Sequence, residues 1–212
     1  MLIHSYDSGH SEKEWRDWLA QSGKFGTLVV SASAGEAPIV VPTHFVLQND
    51  KILLHLHKAN DAIPQLRSGS KVTLSVIGDY AYIPSQWRAK DPLNPQDGVP
   101  TSYYAAISFE CVPTVVDDAA GIVNILKQTM LEFQPEGGHG EISTEAPPYG
   151  QLISVITGVE LEIVKVEAKF KYDDHKSVEF REAIIEQLKA RGADQDSGAA
   201  AQQRRRLSQS AD

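Results

Sequence analysis

Gly78 to Glu110 reads GDYAYIPSQWRAKDPLNPQDGVPTSYYAAISFE. Two aromatic-rich, strand-like segments, Asp79 to Ile83 and Thr101 to Glu110, flank a loop that holds Trp87 and the prolines Pro84, Pro92, Pro95 and Pro100. Prolines pre-set the backbone and lower the entropy a loop loses on becoming ordered. Long loops inside compact domains are binding loops or disordered segments, and the aromatic mass argues against disorder. The stretch therefore predicts two antiparallel strands with an ordered loop on the side of a cofactor.

Outward from it toward the N-terminus, β-branched runs alternate with short turn signals: FGTLVVSAS, APIVVPTHFVLQ, KILLHLH and KVTLSVI. The first three read as consecutive antiparallel strands turned at Gly35-Glu36 and Asn49-Asp50, and Lys71 to Ile77 as a fourth. Ala59 to Ser68 reads as a short helix ended by Gly69. Ahead of the strands, residues 1–24 form a helical segment in which Ser11 and Glu14 make a capping box.

Toward the C-terminus, the sixth strand runs on to Val116. Ile122, Ile125, Leu126, Thr129, Met130 and Phe133 then recur at helical spacing, giving a helix over 117–134. A glycine- and proline-rich loop follows over 135–150, then an ambiguous Leu152 to Thr157. The alternating VELEIVKVEAKF is a strand with one wet face. Ser177 caps a helix over 177–191 that Gly192 stops. Residues 192–212, GADQDSGAAAQQRRRLSQSAD, offer little to bury and read as a flexible tail. The sum is an α+β chain with one domain over 1–191: an antiparallel six- to seven-stranded β-barrel with flanking helices, closure being one way to remove strand edges.

The chain has 212 residues and a formal net charge of -8. A polyanion meets net repulsion, and no basic stripe offsets it, so strong direct nucleic-acid binding is not expected. The single cysteine, Cys111, cannot form an intramolecular disulfide. No apolar run approaches membrane-spanning or signal-peptide length, so a cytoplasmic protein away from the membrane is expected. GxSxG, P-loop, GxGxxG and HExxH patterns are absent, which removes support for hydrolase and nucleotidase chemistry.

Cations and aromatics remain at strand ends. Lys58, Arg67, Lys71, Lys169 and Lys171 are candidates for a phosphorylated ligand, which carries about -1.5 to -2 charges near neutral pH. The Tyr82, Trp87 and Tyr104 region can build an apolar slot for a planar ring. Each has a plainer reading. His55 and His57 fit a hydrogen-bonded strand face better than a metal pair, so no metal is expected. His44 is evenly balanced between structural and ligand roles, and Lys169 and Lys171 fit the wet face of a strand.

In order and spacing, FGTLVVS, PTHFVL, HLHKAN, AYIPSQW, VPTSYYAA and ITGVELEIVKVEAKFK make the chain resemble the PaiB-type FMN-binding negative transcriptional regulators, a split-barrel flavin-binding family. The resemblance runs from about Phe25 to about Leu188. It implies a homodimer with FMN near the subunit interface. Thr43 and His44 would lie along the flavin, and His57, Lys58 and Asn60 near its phosphate. Tyr82, Trp87, Thr101 and Tyr104 would stand at the flavin or interface side, with Lys169 and Lys171 completing the site. A regulatory or redox-sensing role with an indirect effect on transcription follows. Three other classes stay open: a flavin-dependent oxidoreductase, a haem-binding split barrel using His44, His55 or His57, and a barrel that has lost its cofactor and serves as an interaction module. The sequence departs from the family at Ser102-Tyr103, Asp61 and Asp173-Asp174-His175, and Arg88 to Gly98 has no counterpart.

Overall fold

The computed structural model describes residues 1–91 and 93–209; Pro92, expected among the loop prolines, and residues 210–212 of the tail lie outside them. Seven strands form one antiparallel sheet: β1 (Phe25–Val30), β2 (Ile39–His44), β3 (Val46–Gln48), β4 (Lys51–His57), β5 (Val72–Ile83), β6 (Thr101–Val116) and β7 (Ile156–Lys171), in the order β2-β1-β5-β6-β7-β4-β3. Among the described residues six α-helices accompany it: α1 (Glu12–Gln21), α2 (Ala62–Arg67), α3 (Ala119–Phe133), α4 (Tyr149–Ile153), α5 (Val178–Arg191) and α6 (Asp196–Gln209).

The chain divides into two compact units, one built from 1–22, 77–107 and 167–212, the other from 23–76 and 108–166. In the second unit the expected strand APIVVPTHFVLQ is two strands. β2 and β3 stand at opposite ends of the sheet order, yet only Phe45 separates them, so the sheet curls until its edges meet there. Phe45 is buried and its N–H donates to the Lys24 carbonyl at 3.1 Å. β1 pairs β2 from Phe25–His44 to Val30–Ile39, and β4 pairs β7 from Lys51–Glu162 to His57–Ile156. α3 starts where Asp118 accepts the Gly121 N–H at 2.8 Å, and it buries Ile122, Ile125 and Leu126. The ambiguous segment before β7 is resolved as the end of α4, the turn Ser154-Val155 and the start of the strand.

The two strands expected over 71–77 and 79–83 are the single β5, which belongs to the first unit from Ile77 on. It passes through Gly78, where a Cβ would stand 3.1 Å from the Trp18 ring, and through Asp79 at φ 50°. Ser11 Oγ accepts the Glu14 N–H at 3.2 Å, as the capping signature predicts. The Glu14 carboxylate accepts the His10 N–H instead of closing the box on Ser11.

The flexible tail is overturned. Residues 196–209 are helical, and Ala199, Ala200, Gln203 and Arg206 of α6 are buried. The adjacent pair Ala199 and Ala200 shares a helical face with Gln203 and Arg206 at steps of three and four, but half of these residues are polar, so no apolar stripe announced the helix. Arg206 donates to Glu14, to Asp174 and, at 3.0 Å, to the Ser8 carbonyl, while Gln203 donates to Tyr103 Oη and the Tyr172 carbonyl, both at 3.3 Å. Buried polar groups are tolerable when they are paired in this way.

Candidate functional site

The β5–β6 hairpin of the first unit follows the two-residue period of a strand. Ala81, Ile83, Tyr103 and Ala105 are buried, while Tyr80 and Tyr82 are exposed on the other face, which exposed Ile77 joins across the break in the period at Asp79, φ 50°. Together with Ser102 and Tyr104 this face lines a cavity of about 500 Å³ with a mostly apolar wall. Next to it, Lys171 Nζ donates to Thr101 Oγ1 at 2.8 Å. The ammonium groups of Lys169 and Lys171 lie 5.7 and 5.9 Å from the Tyr104 ring centroid, within cation–π range. Thr101, Tyr104, Lys169 and Lys171 are thus brought together.

Their partners differ. Lys169 is buried; its Nζ donates to the Leu2 carbonyl at 2.8 Å and lies 3.8 Å from the Asp7 carboxylate. Burial pushes the Asp7 carboxyl up despite that lysine.

The loop between the strands is packed. Arg88 pairs with buried Asp173, which also accepts from Tyr103 Oη at 3.0 Å. Trp87 is half-buried and lies under the Arg191 guanidinium, whose Cζ is 4.7 Å from the ring centroid. Arg191 Nη1 also donates to the Tyr82 carbonyl at 2.8 Å.

The remaining expected residues belong to the second unit. Thr43 Oγ1 donates to the His44 carbonyl at 2.9 Å. The His44 ring meets Phe25 and Phe133 edge-on at centroid distances of 4.7 and 5.0 Å, so it is part of an aromatic cluster at the end of β2. At the corner from β4 to α2, His57 Nδ1 accepts the Ala59 N–H at 3.0 Å, which leaves its ring proton on Nε2. Asn60 Oδ1 accepts the Ala62 N–H at 2.9 Å and begins α2. Lys58 Nζ donates to the Ser154 carbonyl at 2.6 Å. His55 is half-buried opposite Gly158, and burial lowers its pKa. Among the described residues no group of three or more His, Cys, Asp or Glu is placed to hold a metal.

A phosphate needs cations that are not already neutralised. Arg67 is held in a bidentate pair by Asp117, Lys71 by Glu110, and Lys169 faces Asp7. Lys58 and Lys171 donate only to uncharged oxygens among the described residues. In the first unit the tyrosine-walled apolar slot beside Lys171 fits the ring system of a flavin; in the second, Lys58 is a cation whose ammonium is hydrogen-bonded to a carbonyl and attracted by Asp117. Cys111 is buried on β6; burial, reinforced by Glu110, pushes its thiol up to about 12, so it is no nucleophile at neutral pH.

Sequence reasoning did not find Tyr80 or Arg191. Tyr80 was findable, because it alternates with Tyr82 along β5. Arg191 carried no signal beyond its place before the helix-stopping Gly192.

Residues 1–165 match the family model described as "Putative FMN-binding domain". None of the curated proteins matches the sequence. Among solved structures, the flavocytochrome Anf3 from Azotobacter vinelandii is 15% identical, with 80% of this chain and 72% of that chain covered at a TM-score of 0.60. The FAD and heme binding protein from Mycobacterium smegmatis is 14% identical, with 84% and 79% covered and a TM-score of 0.58. A conserved hypothetical protein, Rv2991, from Mycobacterium tuberculosis is 18% identical, with 80% and 90% covered at 0.55. At these identities the likeness is one of fold, the antiparallel split barrel. No helix among the described residues is long and apolar enough to cross a membrane.

Proposed function

Because the chain belongs to this FMN-binding domain family, we propose that it is an FMN-dependent regulatory or redox-sensing protein, homodimeric, with the flavin near the subunit interface. The effect on transcription is indirect, since a net charge of -8 opposes operator contact. The observation that carries the flavin reading is the slot on the exposed face of β5 and β6 beside Lys171.

In this reading Tyr80, Tyr82 and Tyr104 exclude water from one face of the ring system. Lys171, held by Thr101, supplies positive charge beside that slot. Lys58 neutralises phosphate charge, and His57 and Asn60 fix the backbone from which Lys58 extends. By the family resemblance Thr43, His44 and Trp87 are further flavin contacts, whereas Lys169, whose ammonium is already engaged by Leu2 and Asp7, acts through its cation–π contact with Tyr104. FMN, when bound, supplies the one- and two-electron redox chemistry; the side chains bind, orient and shield it.

The test is the absorbance spectrum of the purified protein before and after adding FMN, with the mass in solution measured by light scattering. Flavin bands that stay with a dimer through gel filtration are expected. A colourless protein that takes up no FMN would reduce the barrel to an interaction module, and a Soret band would replace flavin by haem. Bleaching of the bound flavin by NAD(P)H would turn the regulator into an oxidoreductase. Sequence-specific DNA shifts by the pure protein at low salt would overturn the indirect mode of action.

A further inference from the structure

Arg191 ends α5, and Gly192, in the left-handed region at φ 60°, turns the chain toward α6. All the polar nitrogens of the Arg191 guanidinium are engaged. Nε and Nη2 donate to Asp196 Oδ2 and Oδ1 at 2.7 and 2.5 Å, and Nη1 donates to the Tyr82 carbonyl at 2.8 Å. Asp196 is itself fixed, accepting the Ala193 N–H at 2.9 Å. A planar fork held on both edges cannot rotate, and its face lies against Trp87. One side chain from beyond the family match at 1–165 therefore grips both Tyr82, a wall of the slot, and Trp87, the aromatic of the loop.

We propose that Arg191 is a positioning residue for the flavin slot, through which the α5–α6 segment sets the placement of Tyr82 and Trp87. The proposal rests on the flavin reading above. An ion pair that merely joined two helices would need Asp196 alone; the contacts to Tyr82 and Trp87 are what set this one apart.

FMN titrations of the full chain, followed by flavin fluorescence and by the absorbance of the bound flavin, test it. Arg191→Met removes a charged hydrogen bond and a cation–π contact and should weaken FMN binding by about tenfold with a shifted flavin band. Arg191→Lys keeps the charge but not the fork and should not restore the parental values. Asp196→Asn, which keeps the Tyr82 and Trp87 contacts, should lower the Tm while changing affinity by no more than about twofold. Trp87→Leu, which leaves the Arg191–Asp196 pair intact, should match the loss in Arg191→Met. Parental affinity and spectrum in Arg191→Met or Trp87→Leu overturn the proposal, as does an Asp196→Asn loss equal to that of Arg191→Met. A parent chain that takes up no FMN overturns the flavin reading, and the proposal with it.

Discussion

Arg206 of α6, wholly buried, donates from Nη1 to Glu14 Oε1 of α1 at 2.6 Å. Glu14 also takes Arg205 at 2.7 Å, while Asp174 takes both Arg206 and, at 2.7 Å, Arg181. Helix α6 is thereby tied to α1 by ion pairs. Removing one member of a buried pair leaves the other uncompensated, which costs about 3–5 kcal/mol. Arg206→Met should fall at the lower end of that range, because Arg205 and Arg181 still face the two carboxylates. Urea denaturation measures it, and a loss under about 1 kcal/mol would place the network among the energetically idle ion pairs.

The same network sets the behaviour in acid. Burial raises the Glu14 pKa, but the His10 N–H, Arg206 and Arg205 outweigh it and hold the carboxyl below its ordinary 4.5. The bidentate Arg191 holds Asp196 below 3.8. A depressed folded pKa means stability that is complete above the unfolded value and is lost as the pH falls through the folded one. The Tm should therefore drop below about pH 4.5. Glu14→Gln should be less stable at pH 7 and should show a shallower acid slope. A parallel slope would remove Glu14 from the account.

Asp7 has the opposite sign. Burial, helped by Asp174, raises its pKa more than Lys169, His4 and Lys171 lower it, so the folded state holds the proton to a higher pH than the unfolded chain does. Its ionised form costs stability as the pH rises through the interval between 3.8 and the raised folded value. Asp7→Asn mimics the protonated form. Its Tm should exceed that of the parent at pH 7, and the gap should close toward pH 4. A lower Tm at pH 7 would mean that the attraction to Lys169, 3.8 Å away, outweighs the burial.

How much of this was legible depended on whether burial followed hydrophobicity. Where it did, the strands, α1, α3 and α5 stood close to their expected limits, and Ser11 and Ser177 cap as read. Two misplacements came from topology. Phe45 sits within the strand-like run IVVPTHFVLQ, and nothing local says that the chain changes sheet edges there. Gly78-Asp79 resembles a turn, yet β5 continues through it because Trp18 packs on the glycine and donates to the Asp79 carboxylate at 2.7 Å. The α6 error was of another kind: Gln203 and Arg206 occupy core positions through partners at Tyr103, Glu14 and Asp174, which lie far away in sequence. For the site, residue types were readable but engagement was not. Nothing in the sequence separates Lys169, already satisfied, from Lys171.

That difference makes a prediction about the lysines. Charge-assisted hydrogen bonds contribute about 1.5–3 kcal/mol, so Lys58→Ala and Lys171→Ala should each weaken FMN binding by about ten- to a hundredfold. Lys71→Ala, whose lysine is already paired with Glu110, should stay within about twofold. Riboflavin, which lacks the phosphate, separates the roles: a lysine acting on phosphate loses FMN affinity but keeps that for riboflavin. Equal losses for both ligands would move that lysine from the phosphate to the ring.

Gly98 tests whether the loop is built or merely tethered. Its φ of -84° suits any residue, so backbone strain is not the issue. Space is: a Cβ there would stand 1.8 Å from the Ser85 carbonyl oxygen and 2.7 Å from the Ala89 nitrogen. Both neighbours are backbone, and no side-chain rotation can relieve the clash. Gly98→Ala must therefore push the turn at Ser85–Arg88 away from the turn at Pro95–Asp97, carrying Trp87 off Arg191 and Arg88 off Asp173. Overpacking of this kind costs about 1–3 kcal/mol. The emission of Trp87, obtained by difference from a Trp87→Phe chain because Trp15 and Trp18 also emit, should move to longer wavelength, and FMN affinity should fall with it. If Gly98→Ala kept the parental Trp87 emission and Tm, the loop would not be packed as described, and its aromatic frame would not be held by Gly98.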